Sequence, residues 1–198
     1  MKRSAGLNIA VIMGSTRRER FSEKPARWIF EEVGRSEGVT AELLDLRDYP
    51  LPFFDEPQGA AAMKGKYPNK EVRNWAEKIA WADAFIIVTP EYNHGYPAVL
   101  KNALDNLYVE WNNKPVGFVS WGGVAGARSV EQLRLVSIEL QMVPIRNAVH
   151  IPAHWTLTDE AGNLKTDTLK DSAGRFLGQL LWWARVLKGA RAGLQDGG

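Results

Sequence analysis

The stretch AFIIVTPEYNHGYP at residues 84–97 predicts the fold of this chain. Its first five residues are apolar without interruption, which is typical of a strand buried on both faces of a parallel sheet. The loop that follows contains two prolines, one glycine and the rings of Tyr92 and Tyr96. Open α/β sheets bind ligands at the carboxyl ends of their strands. We therefore expect a planar ligand against the tyrosines and the fixed backbone of this loop.

Apolar runs alternate with amphipathic segments on both sides of this stretch. We predict strands at residues 7–13, 39–46, 84–89, 115–120 and 143–150, and helices at 22–35, 70–81, 97–107, 127–140 and 168–188. This alternation indicates an α/β fold in which helices cover both faces of a parallel sheet. We expect a single domain over residues 1–188 and a disordered tail at 189–198. Residues 49–69 lack periodicity, and a loop of that length is usually functional.

Composition excludes several classes of site. The chain has 198 residues and no cysteine, so it holds no disulfide, thiolate zinc site, iron–sulfur cluster or cysteine nucleophile. Its formal net charge is +2 with both signs interspersed, which predicts no nucleic-acid partner. We identify neither a signal peptide nor a membrane-spanning run, so we expect a cytoplasmic protein without a membrane partner. His150 and His154 are too isolated from other ligands to predict a metal site.

Residues 14–22, GSTRRERFS, lie between the first predicted strand and the first predicted helix. Hydroxyls, arginines and the free N–H groups of a helix start are the groups that bind phosphate. The loop lacks the glycine fingerprint of dinucleotide folds and the Gly-Lys-Ser/Thr ending of a nucleotide P-loop, so a monophosphate fits better. The alternative is an ordinary solvated surface turn.

Residues 120–128, SWGGVAGAR, follow the fourth predicted strand. Glycines there would let a flat ligand lie against the backbone, although a flexible turn would look the same. One arrangement explains all three loops together. A phosphate would lie at the first loop, and a planar heterocycle would lie between the second and the third.

These motifs resemble the NAD(P)H-dependent FMN reductase family of the flavodoxin-like superfamily, which includes bacterial quinone, azo-dye and chromate reductases. The resemblance covers about residues 7–152 and rests on 14–17, on 89–97 with LKNALD at 100–105, and on 120–126. It implies a doubly wound, five-stranded parallel sheet of order 2-1-3-4-5. It also implies bound FMN, NADPH or NADH as electron donor, and a homodimer or homotetramer. Tyr108 and Trp111 are candidates for the subunit contact, or else they cover the local core.

The resemblance implies a role for individual residues as well. The FMN phosphate would be bound by Ser15 and Arg17, joined by Arg20 and Ser22. In many relatives the second residue after this serine is asparagine. Here Ser22 is followed by Glu23 and Lys24 instead. The edge of the isoalloxazine ring and the ribityl chain would be wrapped by Pro90, Glu91, Tyr92, Asn93, His94 and Gly95, mostly through backbone atoms. The other edge of the ring would be framed by Ser120, Gly122 and Gly123.

The implied function is hydride transfer from NAD(P)H to FMN and then to a small-molecule acceptor, a quinone, free flavin or similar compound, in a ping-pong cycle. No side chain need be catalytic, because flavin carries the chemistry. His94 has two interpretations, as a proton donor to a quinone or as a residue that shapes the loop. Arginines 17, 18 and 20 are candidates for contact with the 2′-phosphate of NADPH. The alternatives are a flavodoxin-type FMN electron carrier, which the basic pI of about 8.8 disfavours, and a flavin-free nucleotide-sensing relative.

Overall fold

The computed structural model describes residues 6–160 and 163–195. One parallel sheet contains the strands β1 (Leu7–Met13), β2 (Val39–Asp45), β3 (Ala84–Pro90), β4 (Pro115–Trp121), β5 (Val143–Pro144) and β6 (Val149–Ile151). The strand order is β2-β1-β3-β4-β5, and β6 also pairs with β4. The predicted fold class and strand order are confirmed. This order brings the carboxyl ends of β1, β3 and β4 together at one edge of the sheet.

Six α-helices lie between the strands or after the last of them within the described part of the chain. They are α1 (Glu23–Gly34), α2 (Ala60–Met63), α3 (Lys70–Trp81), α4 (Ala98–Asp105), α5 (Ala127–Glu139) and α6 (Lys170–Gln195). The short helix α2 lies inside the segment 49–69, which the sequence shows only as a loop. No helix among the described residues is long and apolar enough to cross a membrane.

Alternate residues of each strand face opposite sides of the sheet and pack into two cores. On β1, Ile9 and Val11 face the core that α1 and α6 cover, whereas Ala10 and Ile12 face the core under α3, α4 and α5. The strands read as continuous apolar runs because both faces are covered. Trp111 is fully buried in the second core, which confirms that it covers local apolar groups.

The fifth predicted strand, residues 143–150, is interrupted in the structure. The Ile145 N–H still donates to the Val116 carbonyl of β4 at 2.9 Å, but residues 146–148 leave the ladder, and the backbone N–H of Asn147 donates to Gln179 Oε1 at 2.8 Å instead of to a strand. Two short segments, β5 and β6, therefore complete this edge of the sheet in place of one strand.

The predicted disordered tail is wrong for residues 189–195, because α6 continues to Gln195. Two hydrogen bonds from Arg191 hold this last part of the helix, to Asp83 Oδ1 at 2.9 Å and to the Asn113 carbonyl at 2.8 Å. Lys188 also pairs with Asp83 at 2.7 Å. The rest of the predicted tail, residues 196–198, lies outside the described residues.

Lys114 is buried immediately before β4, at the carboxyl end of α3. Its ammonium donates to the carbonyls of Ile79 at 2.8 Å and Ala80 at 3.1 Å, two groups that the end of a helix leaves unpaired. Burial and, to a smaller extent, the nearby charge of Arg191 together lower the pKa of Lys114 to about 8, against the opposing effects of Asp83 and Glu110.

We predict that this lysine makes the free energy of unfolding depend on pH. Between about pH 8 and pH 10.5 the unfolded chain keeps a proton that folded Lys114 has lost, so its contribution to stability rises with pH. The slope is at most about 1.4 kcal/mol per pH unit. Urea unfolding of the wild type and of Lys114→Met at pH 8, 9 and 10 measures this slope. We expect the free energy of unfolding of the wild type to rise with pH relative to that of the variant. The exposed Lys66→Met variant is the control, and an equal difference at all three pH values would contradict the prediction.

Candidate functional site

The first loop, residues 14–22, is fixed to the end of β2 by Arg20. The Arg20 side chain is 2% exposed, and its guanidinium donates to Asp45 Oδ1 at 2.8 Å, pairs with Asp45 Oδ2, and contacts the Ser15 carbonyl. Its Nε donates to Glu23 Oε1 at 3.3 Å. Burial alone would raise the pKa of Asp45, but the hydrogen bonds from Arg20 and from the Arg47 backbone outweigh it and lower the pKa. Arg20 therefore braces the loop, with its donors directed at protein groups.

The other predicted phosphate residues are arranged differently. Ser15 is buried, and its hydroxyl lies 2.9 Å from the Tyr92 hydroxyl, which joins the first loop to the second. The guanidinium of Arg17 is exposed and has no partner among the described residues. Ser22 precedes α1 and is fully buried, yet its Oγ has no hydrogen-bond partner in the described chain. A buried hydroxyl without a partner costs about 1–3 kcal/mol, so a ligand with acceptor oxygens fits this helix start.

Gly14 sets how closely this loop approaches the second one. Its N–H donates to the Val88 carbonyl at 2.9 Å, and a Cβ at this position would lie 2.9 Å from Leu100 Cδ2. Because a side chain would separate β1 from β3 and α4, only glycine fits here.

The second loop forms a tight turn over residues 92–95. The N–H of Tyr92 donates to the Gly95 carbonyl at 2.8 Å, and the N–H of Gly95 donates to the Tyr92 carbonyl at 3.0 Å. Asn93 and His94 both have left-handed backbones, with φ of 49° and 68°. This is the geometry of a two-residue hairpin turn. No acceptor in the described chain takes the N–H groups of Asn93 and His94, so these donors face outward.

Side chains at the start of α5 hold this turn in place. The carboxylate of Glu91 is 4% exposed, accepts from the Arg128 backbone N–H at 3.2 Å, and forms an ion pair with Arg128 Nε at 2.6 Å. Gln132 Nε2 donates to the His94 carbonyl at 2.8 Å. The position of Glu91 is therefore structural, since its charge is neutralised inside the fold.

Arg128 also contacts His94, through Nη1 and the imidazole Nε2. Arginine is always protonated, so Nε2 of His94 is the acceptor and carries no proton in this arrangement. The Nε2 atom is therefore engaged with Arg128 and not with the space where a ligand would lie. The geometry favours the interpretation of His94 as a residue that shapes the loop.

The third loop, residues 121–126, is packed against the second. A Cβ on Gly122, where φ is 151°, would lie 2.9 Å from Glu91 Cβ, whereas one on Gly123 would meet nothing within 4 Å. The Ser120 hydroxyl is buried, donates to the Ala125 carbonyl at 2.8 Å, and lies 2.9 Å from His150 Nδ1. Only Gly123 of the three predicted residues therefore presents open space, while Ser120 and Gly122 fix the loop from inside.

Sequence reasoning missed the residues that anchor these loops, including Asp45 and Arg128. It also missed Asn102 and Asn106, which clamp residues 51–54 onto α4. Asn102 Nδ2 donates to the Pro52 carbonyl at 2.9 Å, and Asn102 Oδ1 accepts from the Phe54 N–H at 3.2 Å. The available signal was two asparagines four residues apart on one helix, which places both side chains on one face.

These contacts define what the edge of the sheet can do. It presents an unpaired buried hydroxyl, a free arginine and outward backbone donors. No group of three or more acidic or histidine side chains in the described ranges could hold a metal ion. The arrangement suits the binding and orientation of an anionic, partly planar ligand.

Comparisons with known proteins point to one family. The sequence profile of the family described as NADPH-dependent FMN reductase matches residues 7–156. The chain is 42% identical over 146 residues to an NAD(P)H-dependent FMN reductase of Schizosaccharomyces pombe, which covers 73% of each protein. It is 36% identical over 192 residues to a 2-hydroxy-1,4-benzoquinone reductase of a Burkholderia species, covering 90% of this chain and 97% of the relative.

A solved structure shares the fold. The flavoenzyme NAD(P)H:(acceptor) oxidoreductase FerB of Paracoccus denitrificans superposes with a TM-score of 0.70 at 22% identity, covering 90% of this chain and 97% of FerB. The match over residues 7–156 contains all three loops and the strands that position them. The chain therefore belongs to the NADPH-dependent FMN reductase family.

Proposed function

We propose that the protein is an FMN-dependent NAD(P)H oxidoreductase that reduces a quinone, free flavin or similar small acceptor. The observation that carries the proposal is the buried hydroxyl of Ser22, which has no partner in the described chain and lies at the amino end of α1. The FMN phosphate would supply the missing acceptor. Family membership and the names of the relatives support the same activity.

The first loop would bind the phosphate with three kinds of donor. Ser22 offers its hydroxyl, Arg17 offers an uncommitted guanidinium, and the start of α1 adds the N–H of its first residue, Glu23, and partial positive charge. Ser15 would set the distance to the second loop through its contact with Tyr92. Arg20 would act one step away from the phosphate, by holding the loop to β2.

The second and third loops would hold the planar ring. The outward N–H groups of Asn93 and His94 would bind its polar edge, and the open backbone at Gly123 would let it approach the third loop. Pro90, Glu91, Tyr92 and Gly95 would keep the turn in this shape, together with Ser120 and Gly122. The amino end of α4, which begins after Pro97, adds the positive end of its helix dipole to the same region.

Bound FMN supplies the redox chemistry, since it accepts a hydride from NAD(P)H and passes electrons to the acceptor. The protein would contribute binding, orientation and a polar environment, without a general base. A donor and an acceptor that stack in turn on the same exposed face would give a ping-pong cycle.

A homo-oligomer, either a dimer or a tetramer, is part of the proposal. Leu135 and Ile138 on α5 are 71% and 62% exposed, and Val124 of the third loop is 47% exposed. Exposed apolar groups on one helix support a contact between copies of the chain beside the site. We assign the reaction to the cytoplasm, where NAD(P)H is supplied.

The first test is anaerobic addition of NADPH to the purified protein after loading with FMN. We expect the visible absorbance of the protein-bound flavin to bleach, and the colour to return when a quinone is added. Bound flavin that stays oxidised would indicate an electron carrier. A protein that retains no flavin would overturn the assignment of all three loops.

Substitution Ser22→Ala tests the phosphate site. We expect the Kd for FMN to rise about tenfold, because a hydrogen bond to a charged phosphate is lost. The free energy of unfolding of the apoprotein should not fall, since this hydroxyl has no partner to lose. Fluorescence titration with FMN and urea unfolding measure the two quantities. The control is Ser137→Ala, which removes a buried hydroxyl that donates to the Leu133 carbonyl away from the loops, and equal FMN affinities for the two variants would refute the prediction.

We expect Arg17 to contribute to FMN binding and Arg20 to contribute to the stability of the fold. Arg17→Ala should raise the Kd for FMN about tenfold and change apoprotein stability by less than about 0.5 kcal/mol, since the side chain is exposed. Arg20→Met should lower the free energy of unfolding by about 3 kcal/mol, because Asp45 loses its buried partner. The same two titrations test both variants. A stable Arg20→Met protein with weakened FMN binding would show that Arg20 binds the phosphate itself.

A further inference from the structure

A second basic site lies at the outer edge of the sheet, beyond the third loop. It is a pocket of about 390 Å³ between residues 146–150 and the first turns of α6, lined by Arg146, Asn147, Ala148, His150, Ser172 and Arg175. None of these lining residues is acidic. The pocket therefore combines two guanidinium groups, an imidazole, a hydroxyl and an amide without a neutralising carboxylate.

The two arginines are uncommitted, which sets them apart from the arginines that hold the loops and the helices together. Arg20, Arg128 and Arg191 form ion pairs with Asp45, Glu91 and Asp83. Arg134 donates its guanidinium to the carbonyls of residues 145 and 146. In contrast, no side-chain hydrogen bond or ion pair joins Arg146 or Arg175 to any part of the chain that the structure describes.

The backbone around these arginines is held firmly. Asn147 donates through Nδ2 to the Arg175 carbonyl at 3.2 Å, and its backbone N–H donates to Gln179 Oε1 at 2.8 Å. These bonds tie residues 146–148 to α6. The two guanidinium groups are thus carried on joined backbone segments and do not extend from independent loops.

His150 connects this pocket to the proposed flavin site. It lines the pocket, and its Nδ1 lies 2.9 Å from the Ser120 hydroxyl and 3.3 Å from the Ala125 carbonyl, both of which fix the third loop. The FMN phosphate site at the start of α1 lies elsewhere, because β3 and β4 separate β1 from β6 in the sheet. The pocket and the first loop therefore flank the proposed position of the ring from opposite sides.

We propose that this pocket binds the 2′-phosphate of NADPH and so selects NADPH over NADH. The inference rests on the proposed function, in which the nicotinamide stacks on the exposed face of a ring held by the second and third loops. The far end of the dinucleotide would then extend over that loop to the sheet edge. A phosphate monoester matches two guanidinium groups and neighbouring neutral donors. The volume also admits more than an isolated phosphate, as the adenosine ribose requires.

The first loop is the competing location for this phosphate. Arg20 is engaged with Asp45, and Arg17 is assigned to FMN, so Arg18 would be the remaining candidate there. The edge pocket offers two free arginines instead of one. Substitution at both locations therefore decides between them.

The direct test is calorimetric titration of the FMN-loaded protein with adenosine 2′,5′-bisphosphate, with 5′-AMP and with inorganic phosphate as comparison ligands. We expect the bisphosphate to bind at least about tenfold more tightly than 5′-AMP, because only it carries the 2′-phosphate. The double variant Arg146→Gln/Arg175→Gln should lose that difference. Arg185→Gln, an exposed arginine on the same helix and outside the pocket, should retain it, as should Arg18→Gln.

Steady-state kinetics provide the second measurement. The ratio of kcat/KM for NADPH to kcat/KM for NADH should fall at least about tenfold in the double variant. An equal loss for both donors, or a change confined to the KM of the acceptor, would assign the pocket to another group and overturn the proposal. Loss of preference in Arg18→Gln, or an unchanged ratio in the double variant, would overturn it as well.

The titration also separates failure of this proposal from failure of the proposed function. Binding of the bisphosphate requires no electron transfer. The titration therefore tests the pocket even in a protein whose flavin stays oxidised. Both substituted arginines are exposed and without partners in the described ranges, and thermal unfolding confirms that each variant is folded. If the folded wild type binds bisphosphate no better than 5′-AMP, the assignment of the pocket is wrong whatever the reductase assay shows.

Discussion

The ion pair between Arg20 and Asp45 is the interaction on which the edge of the sheet depends. It closes the first loop against the end of β2, and its guanidinium also holds the Ser15 carbonyl. Ser15 then meets Tyr92, so the position of the second loop follows from that of the first. A buried charge that loses its partner destabilises a protein by about 3–5 kcal/mol, which makes this link rigid as well as specific. Three loops that are far apart in sequence thereby become one surface.

A second charge pair completes the surface from the other side. Glu91 pairs with Arg128 and accepts a backbone N–H at the start of α5, and Arg128 reaches His94. These charges thus hold the loops in place, and the groups left for a ligand are backbone N–H donors, the Ser22 hydroxyl and the guanidinium of Arg17. Such a surface positions a ligand well and transfers protons poorly. That division of labour suits a redox cofactor, whose own ring carries the reaction.

The sequence predicts the strands well because covered strands in a parallel sheet are continuous apolar runs, as in residues 84–88. It fails where long-range contacts decide the backbone. Gln179 draws Asn147 out of the ladder, and Asp83 extends α6 through Arg191, and neither partner is near in sequence. The same reason limits the site. A motif identifies the loop, but the partners Asp45, Glu91 and His150 decide that Arg20, Arg128 and Ser120 turn inward.

Whether an arginine is paired with a carboxylate therefore indicates whether it can bind an anion, and its position in the sequence does not. A guanidinium joined to a carboxylate in the fold contributes little field beyond its pair, whereas an unpaired one attracts anions over about a Debye length, roughly 8 Å at physiological salt. The first loop and the sheet edge beside β6, which lie on opposite sides of the second and third loops, both carry arginines without a partner in the described chain. A flavin and a dinucleotide stacked on it carry their phosphates away from the shared ring plane. Two separate anion sites that flank one planar site are the charge distribution that such a pair of ligands requires.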